Sequence, residues 1–304
     1  MSLAKTPSRA LLIAGIVLLC VVWGSTWVVI AGGLDDLQPF TAAAVRFVVA
    51  ALAMQVLGPF LARKEGGEAP GWSLVLTVGC LNFGASYGIV YWSEQYLPSS
   101  LVAVVWSAFP LMMGVLGHLF LEGERLRPIQ WLGLLAGFAG VALLFATDLR
   151  TNESSLKAGA ILLLSPLACA IGTVRLKHAG AGISSVLLNR GAMGVGAILL
   201  CLMALVTEGD AVNNWTPQAV GSVVYLALVG TVLTFGLYFW AMRYAPAYQL
   251  SLIAYVTPGI ALLLGAGLRN EAIGAGTLGG LAVILAGVAA VFAGRQRDAP
   301  QSDS

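Results

Sequence analysis

Long apolar runs, closed at near-regular intervals by short clusters of Pro, Gly, Asn, Asp or charged residues, dominate the chain. An apolar run of roughly 20 residues crosses the hydrocarbon core of a bilayer as an α-helix. The pattern predicts ten such spans, at 10–31, 39–61, 72–94, 99–121, 128–147, 157–178, 184–206, 217–243, 246–268 and 273–294. The intervening loops are short, and no soluble domain is left over.

Composition agrees with the pattern. Hydrophobic residues make up 59% and charged residues 10% of the 304, against about 25% charged in a soluble domain. The expected fold class is an all-α polytopic membrane protein of ten transmembrane helices. A net charge of +2 without a basic tract argues against nucleic acid as a partner. The four cysteines lie inside apolar runs without metal-ligand spacing and read as small buried side chains. Lys5 and Arg9 before the first run resemble a signal peptide, but the run is too long for one.

Basic residues orient the spans. One side of the predicted topology collects Lys5, Arg9, Arg63, Lys64, Arg125, Arg127, Arg175, Lys177, Arg243, Arg295 and Arg297. The other receives Arg150, Lys157 and Arg269, while Arg46 and Arg190 fall within spans. The positive-inside rule makes the first side cytoplasmic, with both termini inside a cell (inner) membrane.

Residues 87–117 lie over 235–265 at a constant offset of 148. Trp92 then matches Trp240, Tyr96 matches Tyr244, and Pro98 and Pro110 match Pro246 and Pro258. The chain therefore reads as two five-helix repeats, 1–147 and 157–294, joined by a linker at 148–156 and followed by a tail at 295–304. An odd number of spans per copy inverts the second copy in the membrane. Such a 5+5 inverted-topology repeat is the architecture on which alternating access rests.

"WGSTW" in the first span, "VRF" in the second, "YLPSS…P" across spans three and four and "EGERL" after the fourth resemble the EamA-type branch of the drug/metabolite transporter superfamily. The second half carries weaker copies, "NRG", "APAY…P" and "RNEAI". The resemblance implies a ten-helix exporter of small metabolites, amino acids or drugs, and within the superfamily it points to the exporters of aromatic and neutral amino acids. Gly191 stands where the first half has Phe47, a local departure.

The buried arginines ask for partners. Arg46 and Arg190 each sit about two turns into a span, and a guanidinium stays charged there. By the predicted topology Glu271 shares a side with Arg46, and Glu124 with Arg190. Cross-repeat pairs Arg46–Glu271 and Arg190–Glu124 are therefore expected to latch the two ends. Glu94 is a rival partner for Arg46; snorkelling onto helix-end carbonyls and capture of a substrate carboxylate remain open.

Polar and aromatic residues near mid-span suggest where a substrate sits. Asn82 and Ser86 share a face of the third helix, and their repeat mates at the same offset are Gly230 and Thr234, with Thr231 next door. Ser107 and Pro110 in the fourth span, with Pro258 in the ninth, belong to small-residue stripes suited either to helix packing or to a cavity wall. Trp23, Trp106, Tyr87, Tyr91, Phe235, Tyr238 and Tyr255 are the aromatic candidates, whereas Tyr96, Tyr244, Trp72, Trp131 and Trp215 read as interfacial anchors. No Asp or Glu lies at a span centre, which argues against a mid-membrane carboxylate coupled to protons.

No phosphate loop, metal cluster or paired intramembrane aspartate suggests an enzyme or a cofactor. The expectation is an exporter of amino acids, aromatic ones included, whose partners are a small-molecule substrate and the lipid bilayer. Multidrug or quaternary-ammonium efflux is the alternative, nucleotide-sugar exchange is less favoured, and a monomer would suffice.

Overall fold

A computed structural model describes residues 8–122, 125–149, 152–179, 182–242 and 247–296, without the side chains of 239, 242, 247–252, 254, 255 and 291–296. Ten apolar helical spans follow one another with short connections. They are α1 (Arg9–Gly33), α2 (Pro39–Glu65), α3 (Trp72–Ser93), α4 (Ser99–Phe120), α5 (Pro128–Thr147), α6 (Glu153–Ala179) and α7 (Ser185–Glu208). The eighth, α8, runs in three segments, Pro217–Val224, Tyr225–Leu233 and Thr234–Met242. The last two are α9 (Ala247–Arg269) and α10 (Ala275–Gln296). The helices begin where the sequence supplies start signals. Pro39, Pro128 and Pro217 open α2, α5 and α8, and the side chains of Ser8, Asn152 and Thr216 cap α1, α6 and α8. The helix α2 stops at Gly66, whose φ of 73° favours glycine.

Four spans depart from a regular helix, α6 among them with a turn at Leu163 between Glu153–Leu162 and Leu164–Ala179. At Ser107–Ala108 α4 breaks into Ser99–Trp106 and Phe109–Phe120. Pro110 is responsible, because it has no amide hydrogen and its ring clashes with the preceding turn. Its repeat mate Pro258 sits inside an unbroken α9. Both α3 and α8 carry a π-helical segment, at Gly79–Ala85 and Tyr225–Leu233. Adding the repeat offset of 148 to Gly79–Ala85 gives 227–233, which falls within the second segment. The duplication thus reproduces an irregularity that leaves no mark in either sequence.

Helices pack mostly across the two repeats: α2 lies along α7, α5 along α10, and α1 along α9. The α5–α10 seam is built on glycines that admit backbone at close range. A Cβ on Gly140 would meet the Gly280 carbonyl oxygen, and one on Gly287 would meet that of Gly133. These two contacts are related by the repeat, since 140 and 133 become 287 and 280 at an offset of 147.

The two ends of the bundle differ in charge. The basic end holds Arg63, Lys64, Arg125 and Arg127; the acidic end holds Asp35, Asp36, Glu94, Asp148, Glu208 and Glu271. Carboxylates from one half cap helix starts in the other. Glu208 accepts from the Phe40 and Thr41 amides at 2.8 and 2.7 Å, at a start whose own cap residue Gln38 makes no side-chain bond. Glu65 reciprocates at the basic end, accepting from Ser184, Ser185 and the Val186 amide at the start of α7. Glu271 accepts from the Ser99 and Ser100 amides at 3.0 and 2.9 Å, and Asp148 accepts from Thr277 in the first turn of α10. Negative charge at a helix N-terminus satisfies orphan amides and the helix dipole together.

Candidate functional site

The two π-helical segments and the residues packed against them gather buried polar side chains, Arg46, Ser86, Ser165, Thr231 and Thr234 among them. Such segments widen the turn and disturb the regular ladder of backbone bonds, and they recur at functional sites. Arg46, reaching across from α2, is 1% exposed. Its Nε donates to Thr231 Oγ1 at 3.1 Å, one Nη to the Tyr91 hydroxyl at 3.3 Å and the other to the Gly230 carbonyl at 3.5 Å. The guanidinium also lies 4.7 Å from the centre of the Tyr87 ring, where the π-face stabilises a desolvated cation. Arg46 therefore ties both repeats together at the segment that departs from α-geometry.

This replaces the expected Arg46–Glu271 latch. Glu271 lies beyond the membrane-spanning part and caps α4. Burial pushes its carboxyl up, but hydrogen bonds from Ser100 and Ser99 outweigh that and leave it below its ordinary value. Glu94, the rival partner, accepts no hydrogen bond from Arg46 or from any other described residue. Arg190 is only half-buried and donates to Gln55 Oε1 at 2.6 Å. Glu124, its expected partner, lies outside the described residues. The latch hypothesis named the right carboxylate, Glu271, for a cross-repeat contact and the wrong donor: helix amides take the place of the arginine.

Most of the sequence-predicted site residues converge. Thr231 and Thr234 are fully buried in and beside the π-segment of α8; Thr234 donates to the Gly230 carbonyl at 2.9 Å. Ser86 and Ser165 share a hydrogen bond of 2.8 Å, and the Trp106 indole donates to Ser165 at 3.0 Å. Asn82 donates to the Cys169 carbonyl and to Thr173 Oγ1, while its Oδ1 is buried without a partner. Rings run in contact from Tyr238 to Trp23, Phe235, Phe83, Phe47 and Tyr87, with centroid separations between 4.7 and 5.9 Å. Ser107 stays apart, bonded to the Val104 carbonyl at the α4 break. The Tyr255 side chain, like Tyr244 and Pro246, lies outside the described residues.

Two groups escaped the sequence reading. Ser165, Cys169 and Thr173 line one face of α6 at spacing i, i+4, i+8, a signal visible in the sequence. Trp27 packs against Trp106 at 6.1 Å and leaves its indole N–H unpaired. Among the expected anchors Trp72 and Trp215 are exposed at span ends, as a membrane-interface role requires.

The arrangement matches known proteins along nearly its whole length. The chain is 30% identical over 262 residues to the uncharacterized inner membrane transporter YedA of Escherichia coli K12, covering 83% of this chain and 81% of that one. It is 26% identical over 253 residues to the uncharacterized transporter YoaV of Bacillus subtilis, covering 83% and 86%. Protein PecM of Dickeya dadantii is 28% identical over 248 residues, covering 80% of each chain. A solved crystal structure shares the fold with a TM-score of 0.66 at 20% identity, over 96% of this chain and all of that one. The model of the EamA-like transporter family matches twice, at residues 10–146 and 156–293. With both repeats matched and the helices paired across them, this multi-pass chain belongs to the EamA-like transporter family.

Proposed function

We propose that the protein exports small metabolites, amino acids with aromatic and other neutral side chains foremost, by alternating access between the two repeats. The observation that carries this reading is the pair of π-helical segments at repeat-related positions, the second tied by Arg46 to Tyr91 on α3, with a run of aromatic rings alongside. Two polar atoms, Asn82 Oδ1 and Trp27 Nε1, are buried there without a partner, an unmet demand that a polar solute reaching them would satisfy. The rings suit a flat apolar side chain or a cation. The positive-inside rule supports an acidic end facing outward and both termini facing the cytoplasm.

Counterflow of a labelled amino-acid panel in proteoliposomes, with and without a pH gradient, tests the reading. Saturable exchange of aromatic and neutral amino acids is expected, lost in Arg46→Ala. The absence of exchange for every panel member would sink it. Exchange of quaternary ammonium ions alone would replace it with the efflux reading, which the aromatic run also favours.

A further inference from the structure

At the acidic end a cleft of about 390 Å³ opens between Leu34, Asp35, Glu94, Pro98, Arg269 and Glu271. Its charges do not balance. Asp35 is matched by Arg269 in a bidentate pair with both contacts at 2.9 Å. Glu271 is satisfied by Ser99 and Ser100, and Arg46, on the protein side of Glu94, is held by Thr231, Tyr91 and Gly230. Glu94 is left over. It is 8% exposed, lines the cleft, and both its carboxylate oxygens are buried without a hydrogen-bond donor. A desolvated carboxylate with no donor is too costly to persist, so it must take up a proton or a cation.

We propose that this cleft is a binding site for one primary ammonium group, with Glu94 as its counter-ion. Three features select that chemistry. The helices α1, α3 and α9 all end here, so the negative ends of three helix dipoles meet at the cleft. No three carboxylates, imidazoles or thiols among the described residues are grouped to hold a metal ion. The volume is also more than ten times the ~30 Å³ share of a water molecule, room for an organic amine rather than a bare ion.

A proton competes for the same carboxylate. Glu94 lies just beyond the last turn of α3, and burial, with Glu271 nearby, pushes its carboxyl well above the ordinary value against the pull of Arg269 and Arg46. The groups facing it are Tyr91 on α3, Arg46 on α2, Asp35 after α1, and Arg269 and Glu271 around the end of α9; on α6 the Glu153–Lys157 pair stays exposed. Proton and ammonium then exclude one another at Glu94. This deepens the export reading and rests on it, since an amine leaving through the acidic end meets this site last.

The test is equilibrium binding to the purified full chain in detergent, read as thermal stabilisation by phenethylammonium chloride. The neutral isostere 2-phenylethanol and potassium chloride at equal ionic strength serve as controls. Saturable stabilisation by the ammonium is expected, absent for both controls and weakened at least tenfold as the pH falls from 8 to 5. Glu94→Gln is expected to abolish it. Because the folded pKa is raised, the proton on Glu94 stabilises the fold at low pH. That contribution is lost as pH rises through the raised value, so wild type should lose stability over that range while the Gln variant stays flat. Unchanged probe affinity in Glu94→Gln, or equal stabilisation by either control, overturns the proposal. Should Glu94→Gln fail to fold, Glu94→Asp decides: weakened, still pH-dependent binding supports the site and wild-type affinity at every pH overturns it. Loss of probe binding in a protein that still exchanges amino acids sinks the site alone, whereas binding without any exchange sinks the transport reading alone.

Discussion

Arg46 and Arg190 occupy corresponding places in two copies of one five-helix unit, yet their surroundings differ in kind. Arg46 is sealed among Thr231, Tyr91 and the Tyr87 ring; Arg190 rests half-buried against Gln55. At Gly140 and Gly287 the copies instead agree, each glycine admitting the backbone of a mate at equal spacing. Duplication preserves the close approach of main chains, because a lost glycine there disturbs a whole helix pair. It does not preserve what a long side chain meets, because that changes with one or two neighbours. Gly191, where the first repeat has Phe47, is one such neighbour: it removes a ring from the environment of the second arginine.

The contrast can be broken first at the arginines. Arg46→Ala leaves Thr231 and Tyr91 without their donor inside the protein and should lower counterflow at least a hundredfold and cost about 3 kcal/mol of stability. Arg190→Ala should stay within about 0.5 kcal/mol. Equal losses, measured by unfolding in detergent, would erase the distinction. At the glycines the expectation reverses. Gly140→Ala and Gly287→Ala should each cost about 1–3 kcal/mol through overpacking and should agree with one another, so a large difference would show that the backbone copy is imperfect.

Glu271→Gln exchanges charge-assisted bonds at the start of α4 for weaker neutral ones and should cost about 1–2 kcal/mol. A matching loss from Glu124→Gln would extend the symmetry to a residue outside the described ones. Among the carboxylates the smallest effect belongs to Asp35→Asn. Its pair with Arg269 is half-exposed, so the loss should stay below about 1 kcal/mol and vanish at high salt. The hydrogen bond from Arg269 holds the Asp35 carboxyl below its ordinary value. Its contribution is therefore present above the ordinary carboxylate range and fades as pH falls through the lowered value; a loss that grows with falling pH would contradict the pairing.

The spans and the duplication were legible because hydropathy and in-register Trp, Tyr and Pro are properties of the chain itself. Every helix begins or ends within about four residues of the pattern. The partners of Arg46 were not legible. Charge complementarity favoured Glu271, but which atoms a side chain reaches depends on the rotation of α2 against α8, and hydroxyls with a ring face proved sufficient. Glu94 stands at a span end, as the hydropathy pattern has it, but its burial there is a property of the packed helix ends and not of the chain alone. The π-segments were hidden because an added residue in one turn alters no composition. Pro110 and Pro258 carry the same signal in sequence, and only α4 broke.

The reciprocal caps of α2 and α7 have a mechanical corollary. Glu65 clasps the first turn of α7 and Glu208 the first turn of α2, at opposite ends of two antiparallel rods. Clasped in this way, neither rod can slip lengthwise past its mate without uncapping at both extremities together. They keep only the freedom to roll or to scissor.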